Sequence, residues 1–253
     1  MSIRQIQKDQ LAVNIYPSRA EMGLAAALAV TEKIAELLVR QDFVNIIFAA
    51  APSQNEFLAA LLNSGVNWSR INAFHMDEYI GLDAAAPQGF GNFLKERLFD
   101  RAAFHKVYYL NGNAADLAEE CTRYAVLLKQ WPADIVCLGI GENSHLAFND
   151  PHVAEFNDPQ LVKVVELDLA CRQQQVNDGC FEKLVEVPVN ALTLTIPALY
   201  QTRFAYGVVP GEKKAQAIYY TLTETIQENY PSSILRKHAH AILFLDAASA
   251  SLI

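Results

Sequence analysis

The sequence predicts an α/β protein with a mostly parallel sheet that is covered by helices on both faces. Short, nearly continuous apolar runs alternate with longer segments of helical periodicity along the chain. Strands of this kind are buried on both faces, and helical connections between them are typical of parallel pairing. The 253 residues contain no linker, repeat or low-complexity tract. We therefore expect one domain spanning residues 1–253.

The predicted elements alternate most clearly in the first half of the chain. Ser18 and Glu21 have the spacing of a capping box, which indicates the start of the first helix. Helices are predicted over residues 18–40, 54–63, 91–99 and 115–130. Strands are predicted over residues 44–50, 71–74, 106–110 and 135–138. The second half is predicted to hold strands over 161–167, 191–194, 204–209 and 239–245, and helices over 168–176, 212–221 and 232–237.

Reactive side chains follow the predicted strands at their carboxyl ends. Ligands of parallel α/β sheets bind beyond these ends, so the sequence predicts a ligand site there. The residues in question are Ser53, Asp77 with Glu78, the segment Gly139–Pro151, Thr195 and the segment Gly211–Lys214.

Asp77 and His145 are the candidates for proton transfer. One carboxylate of Asp77 and Glu78 can act as a general base if it lies within hydrogen-bond reach of a carbon acid. A turn cap beside a solvated acid is the alternative. His145 lies five residues before Asp150, a carboxylate that can fix its tautomer and support its protonated form. Such a pair suits the opening of a sugar ring, and a loop histidine without chemistry is the alternative.

Cofactor and metal sites find little support in these motifs. Gly139 and Gly141 lack the third glycine of a dinucleotide-binding fingerprint, so we reject a nicotinamide cofactor. A metal held by Asp77, His145 and Asp150 is an alternative, but no ligand spacing supports it, and we expect none.

Two cations are candidates for holding an anionic ligand. Lys214 stands at the start of a predicted helix, where its ammonium and the helix N-terminus both favour phosphate. Arg172 is the second candidate clamp. Solvated surface positions are the alternative for both.

The composition limits the classes of partner that this chain is expected to bind. The net charge of −8 argues against a nucleic-acid surface, although a few local cations suffice for a small anion. No apolar stretch reaches the roughly 20 residues of a membrane span, and no apolar leader is present. We expect a cytoplasmic protein without a membrane partner, and a homo-oligomer stays open.

Two segments, Phe74–Leu82 and Gly139–Pro151, closely resemble the signature segments of the glucosamine-6-phosphate deaminase family. The related 6-phosphogluconolactonases usually carry Asp-Glu-Arg in the first segment and lack the Ala-Phe-Asn-Asp/Glu-Pro ending of the second. This chain has Asp-Glu-Tyr and Ala-Phe-Asn-Asp-Pro, so it resembles the deaminase branch.

The resemblance implies a Rossmann-like three-layer α/β/α sandwich, a sugar-phosphate substrate and no cofactor. Asp77 matches the base that moves a proton between C2 and C1 of the opened sugar, and His145 matches the histidine that assists ring opening. Asp150 falls where the family has a glutamate paired with that histidine. Arg172 and Lys214 match the phosphate-binding cations. Ser53, Glu78 and Gly141 complete the predicted substrate-binding set, and Asn143 joins the catalytic one.

Three departures from the family pattern leave alternatives open, one of which is the replacement of the family's mid-chain glycine after Thr195. The family usually has Asp-Gly where this chain has Asn143-Ser144, and losing an essential aspartate can cost about 10⁴-fold in turnover. The change alternatively marks substrate choice, because some galactosamine-6-phosphate members resemble this chain here. The loop Ala50–Gln54 lacks the family's glycine, and Pro52 has no N–H to donate. A sugar-phosphate-binding protein without turnover is therefore one alternative function. A lactone hydrolase of the related branch is another.

Overall fold

The structure, a computed structural model that describes residues 4–253, contains eleven strands. They are β1 (Arg4–Lys8), β2 (Leu11–Tyr16), β3 (Val44–Phe48), β4 (Ile71–His75), β5 (Asp77–Tyr79), β6 (Lys106–Tyr108), β7 (Ile135–Leu138), β8 (Val162–Glu166), β9 (Asn190–Leu194), β10 (Phe204–Val209) and β11 (Ala241–Asp246).

Seven α-helices connect these strands within the described residues. They are α1 (Arg19–Leu38), α2 (Asn55–Leu62), α3 (Phe90–Arg97), α4 (Leu117–Gln130), α5 (Leu169–Asn177), α6 (Ile196–Tyr200) and α7 (Ala215–Thr223). The predicted cap of the first helix is confirmed, because the Ser18 side chain accepts a hydrogen bond from the Glu21 N–H. No helix in residues 4–253 has the length and apolar character that crossing a membrane requires.

Eight of the strands form one sheet in the order β1-β2-β11-β10-β7-β3-β4-β6. All neighbours are parallel except β1 and β2. From β3 the chain adds β4 and β6 toward one edge, and from β7 it adds β10 and β11 toward the other. The adjacent strands β3 and β7 therefore mark the point where the direction of winding reverses, which is where ligands bind in such sheets.

Residues on neighbouring positions of a strand point to opposite faces of this sheet. Ile46 and Phe48 of β3 pack in one buried apolar cluster with α1 and α2, whereas Ile47 packs in another with α4 and α7. Both clusters exclude water, which is the main source of stability for a parallel sheet of this kind. The predicted three-layer α/β/α sandwich with a mostly parallel sheet is confirmed.

Three strands form a second, antiparallel sheet in the order β5-β9-β8. The predicted strands over 161–167 and 191–194 exist, but they lie in this small sheet and not in the main one. Thr195 directly follows β9 of this small sheet, so the expectation that it joins the ligand site is wrong. Its hydroxyl donates to the Gln160 carbonyl and caps α6, which follows β9.

Sequence periodicity missed the hairpin of β1 and β2. The strand β1 is rich in polar and charged residues because it lies at the edge of the sheet, so it lacks the apolar run that marked the central strands. The short elements β5 and α6 were also missed, since three to five residues carry no readable period.

The close packing of α1 on α2 yields a stability prediction at Gly23. A Cβ added there would lie 2.7 Å from Cβ of Glu56. Alanine usually stabilises a helix interior by about 1 kcal/mol relative to glycine. Here we expect Gly23→Ala to lower the free energy of unfolding by about 1–3 kcal/mol, because overpacking outweighs propensity. Urea unfolding measures the change. Leu28→Ala, at an exposed position of α1, is the control, and a Gly23→Ala variant as stable as wild type would contradict the prediction.

Candidate active site

A pocket of about 470 Å³ opens where β3 and β7 end. Its walls come from the loop after β3, the start of β5, the glycine-rich loop after β7, helix α5 and the segment after β10. Five of the predicted site residues line it together: Ser53, Asp77, Gly141, His145 and Lys214.

Asp77 enters the pocket from the small antiparallel sheet. It is the first residue of β5 and is paired with Thr193 of β9, which fixes its backbone beside the end of β4. The residue is only 6% exposed. Burial raises the pKa of the Asp77 carboxyl well above its usual value, and the charge of Glu78 adds to the effect. A carboxylate held in this way is a stronger base than one in water.

The imidazole of His145 is held through its Nδ1 nitrogen. That nitrogen lies 2.7 Å from Oδ1 of Asn143 and 3.0 Å from Oδ1 of Asp150. The Asn143 amide can present only its oxygen to the ring, since its Nδ2 donates to the carboxylates of Asp150 and Asp168 at 2.9 and 3.0 Å. Nδ1 therefore carries a proton, which leaves Nε2 free for proton transfer in the pocket.

Asp150 supplies the negative charge behind this histidine. The residue is fully buried. Burial alone would raise its pKa, but the His145 imidazole, the Asn143 amide and the Asp168 N–H outweigh that effect and lower the pKa of the Asp150 carboxyl. The carboxylate is thus ionised near neutral pH and places its negative charge 3.0 Å from Nδ1 of His145.

The glycine at position 141 is required by the histidine ring. A Cβ built on Gly141 would overlap the imidazole of His145, and the Gly141 N–H donates to the His145 carbonyl at 3.0 Å. The loop folds back so that ring and backbone are in contact. Gly141 is therefore needed for the position of His145, whatever contact it also makes with a ligand.

The same pocket also carries groups suited to an anion. Lys214 ends a 3₁₀ helix just before α7 and is 7% exposed. Burial lowers the pKa of the Lys214 ammonium, while the nearby charges of Asp178 and Glu142 act in the opposite direction. The hydroxyl of Ser53 and the buried side chain of Gln175 line the same pocket.

Glu78 is not brought to this pocket. Both of its carboxylate oxygens accept hydrogen bonds from backbone N–H groups, at 3.0 Å from Phe90 and 2.8 Å from Gly91. These are the first N–H groups of α3, which have no partner inside the helix. The predicted substrate contact is therefore replaced by a helix cap, and the two adjacent acids point in opposite directions because they alternate along β5.

Arg172 is also directed away from the pocket. Its guanidinium donates to the carbonyls of Leu184 and Val187 at 2.9 and 2.8 Å and thereby fixes the loop after α5. Helical phase explains this placement, since the buried face of α5 carries Cys171, Gln174 and Gln175. Gln174 and Gln175 were missed from sequence, although they stand beside Arg172 in the same polar run.

Comparisons with known proteins show the family of the chain. The sequence model for glucosamine-6-phosphate isomerases/6-phosphogluconolactonase matches residues 17–244. The chain belongs to this family. Glucosamine-6-phosphate deaminase of Bacillus cereus (strain B4264) is 33% identical over 87% of this chain and 82% of the relative. The same enzyme of Listeria monocytogenes serotype 4a (strain HCC23) is 34% identical over 89% of this chain and 96% of the relative.

Solved structures of the family share the fold. A monomeric glucosamine-6-phosphate deaminase matches with a TM-score of 0.88 and 27% identity, over 95% of this chain and 99% of that one. A 6-phosphogluconolactonase from Thermotoga maritima matches with a TM-score of 0.76 and 19% identity, over 93% and 99%. The second likeness shows the fold alone. The resemblance of the two signature segments to an enzyme family is thus confirmed.

The turn before the histidine has a backbone conformation that favours glycine. Ser144 occupies that position with φ 70°, in the left-handed region that favours glycine. Its N–H still donates to the Gly141 carbonyl, so the turn is kept despite the side chain. A non-glycine residue in this conformation costs about 1–2 kcal/mol, which the surrounding hydrogen bonds offset.

Potential metal ligands approach each other behind the pocket. Among the described residues, ligand atoms of His145, Asp150 and Cys171 lie within 4.8 Å of one another, and so do those of Asp150, His152 and Asp168. Asp77 belongs to neither group. The Cys171 thiol has a pKa well above its usual value because of burial and the adjacent carboxylates.

The burial of Asp77 predicts a pH-dependent stability effect. A carboxyl whose pKa is raised in the folded state binds its proton more tightly there, so stability falls as pH rises above the unfolded pKa of about 3.9. We therefore expect Asp77→Asn to be more stable than wild type at pH 7, with the difference vanishing below about pH 4. Thermal unfolding measured across pH tests this, with Asp100→Asn at an exposed position as control. Lower stability of Asp77→Asn at pH 7 would argue against a desolvated carboxylate.

Proposed function

We propose that this chain is an aldose–ketose isomerase that deaminates a hexosamine 6-phosphate to a ketose 6-phosphate and ammonia. One observation carries the proposal: a desolvated carboxylate, an oriented imidazole and an ammonium line the same pocket. Membership of the family supports it. The site takes residues from positions 53 to 214, so we also propose that residues 1–253 act as one domain.

In this proposal His145 and Asp77 act in sequence. With Nδ1 occupied, Nε2 of His145 assists ring opening by moving a proton between the sugar's ring oxygen and its anomeric hydroxyl. The Asp77 carboxylate then takes the proton from C2 of the open chain and returns it to C1. In the same conversion the aldehyde oxygen gains a proton and the C2 nitrogen loses one. The product is an imine at C2, which water hydrolyses to the ketose and ammonia.

Lys214 is proposed to bind the phosphate group, with the Ser53 hydroxyl and the Gln175 side chain as neutral partners. These three line the same pocket as the histidine. A buried ammonium is a strong partner for phosphate because little water competes with it. Arg172 has no part in this proposal, since its guanidinium is engaged by backbone carbonyls.

Asn143 is proposed to keep the histidine competent without a second negative charge. Its amide oxygen accepts from Nδ1 at 2.7 Å, as a carboxylate would. The charge that stabilises the imidazolium comes from Asp150 alone. Turnover therefore remains compatible with asparagine at this position.

The test is ammonia release from glucosamine 6-phosphate and galactosamine 6-phosphate, measured at equal protein concentration. We expect one or both to be consumed, and Asp77→Asn to lower kcat by at least about 10²-fold, since it removes the base and preserves shape. Asp100→Asn is the matched control. Thermal stabilisation by both sugars without ammonia would favour a binding protein without turnover. Hydrolysis of 6-phosphogluconolactone in place of deamination would favour a lactone hydrolase.

Two adjacent lysines permit a matched test of phosphate binding. Lys213 lies beside Lys214, but its ammonium is exposed and donates to the Asn177 carbonyl. We expect Lys214→Ala to raise KM for the sugar phosphate about 10-fold or more, while kcat changes less, because phosphate is held alike in ground and transition states. Lys213→Ala should stay near wild type. Equal effects of the two substitutions on KM would exclude Lys214 as the specific phosphate ligand.

A further inference from the structure

Asp168 lies where helix α5 begins, next to the network that holds His145. One carboxylate oxygen, Oδ1, accepts a hydrogen bond from the Cys171 N–H at 2.7 Å, which makes Asp168 the N-cap of α5. The other oxygen, Oδ2, accepts from Nδ2 of Asn143 at 3.0 Å. Its backbone N–H donates to Oδ2 of Asp150 at 3.2 Å. Asp168 thus joins the helix that lines the pocket to both partners of the catalytic imidazole.

The orientation of the Asn143 amide depends on two carboxylates and on the His145 backbone N–H, which donates to its Oδ1 at 3.2 Å. Its Nδ2 donates to Asp150 and to Asp168, while its Oδ1 faces Nδ1 of His145. Rotating the amide by half a turn would place its oxygen against two acceptors and its NH₂ against Nδ1. Nδ1 would then lose the nearer of its two acceptors, with only Asp150 left to hold its proton.

The same contacts show why asparagine suits position 143 in this chain. A carboxylate at 143 would lie within hydrogen-bond distance of two others, those of Asp150 and Asp168, with one imidazole among them. Carboxylates in such proximity cannot all ionise without a large energetic penalty. An amide at 143 instead carries no charge and donates a hydrogen bond to each of the two acids.

We infer that Asp168 is a positioning residue for His145, and that the carboxylate at 168 and the amide at 143 form a matched pair. The carboxylate holds the amide in the orientation that keeps the imidazole proton on Nδ1. Exchanging the two groups keeps one amide–carboxylate hydrogen bond and the number of negative charges. The consequences for turnover rest on the function proposed above, whereas the effect on the His145 tautomer does not.

The experiment is a double-substitution cycle of Asn143→Asp, Asp168→Asn and the two combined. Asparagine caps helices as well as aspartate does, so Asp168→Asn keeps the start of α5. We expect each single variant to lower kcat by about 10–100-fold. This is the range found when the hydrogen-bonding partner of a metal-ligating histidine is removed in other enzymes. The kcat of the combined variant should be at least about 10-fold higher than the value obtained by multiplying the two single effects. KM should change little in all three variants.

A second readout is independent of activity. Nitrogen chemical shifts of ¹⁵N-labelled histidine, assigned with His145→Gln, report which ring nitrogen carries the proton. We expect the Nδ1–H form in wild type, a shift toward the Nε2–H form in Asp168→Asn, and its reversal in the combined variant. If wild type releases no ammonia, the proposed function fails and this readout still decides the role of Asp168.

Control variants separate positioning from helix capping. Asp116→Asn changes the N-cap of α4, an exposed helix start where the side chain accepts from Ala118 and Glu119, and should leave kcat and the tautomer unchanged. Asp168→Ser keeps an oxygen that can cap α5, but its side chain is too short to reach Asn143. It should therefore lower kcat and change the His145 tautomer as Asp168→Asn does. It serves as a second test if Asp168→Asn folds poorly. Strictly multiplicative effects in the cycle, or a wild-type tautomer in both Asp168 variants, would overturn the inference.

Discussion

Two acceptors hold the Nδ1 nitrogen of His145, and the rest of the site is arranged around that constraint. Asn143 and Asp150 come from the same loop as the histidine, but their own orientation depends on Asp168 at the start of α5. The imidazole needs this support because Nε2 can accept a proton and return it only while the other proton stays on Nδ1. Gly141 then permits the ring to lie against the backbone.

The small antiparallel sheet has a specific part in this arrangement. It anchors the loop that carries His145, because the Asn149 side chain donates to the Leu194 carbonyl and the Phe148 N–H donates to the Thr193 hydroxyl. The same strand, β9, pairs with β5 and so fixes Asp77. The base and the imidazole are thus held by one secondary element, although 68 positions separate them in sequence, from 77 to 145.

Burial raises the pKa of both carboxylates of the site, but the polar partners of Asp150 outweigh this effect. Asp150 is ionised because three polar partners compensate its burial, whereas Asp77 pays a net electrostatic penalty that raises its pKa. Such differences between neighbouring acids divide their chemical roles within one pocket. The stabilised anion of Asp150 keeps its charge beside His145, whereas the destabilised anion of Asp77 readily takes up a proton.

The sequence by itself determined the layer architecture, most helices and central strands, and the rim on which Ser53, Asp77, His145 and Lys214 meet. These follow from local periodicity and from the rule that parallel strands end at one edge. Only the tertiary structure decided which way Glu78 and Arg172 point, that β8 and β9 leave the main sheet, and that Asp168 and Gln175 reach the site. Those outcomes depend on strand register, helical phase and contacts between distant segments, for which a single sequence holds no local signal.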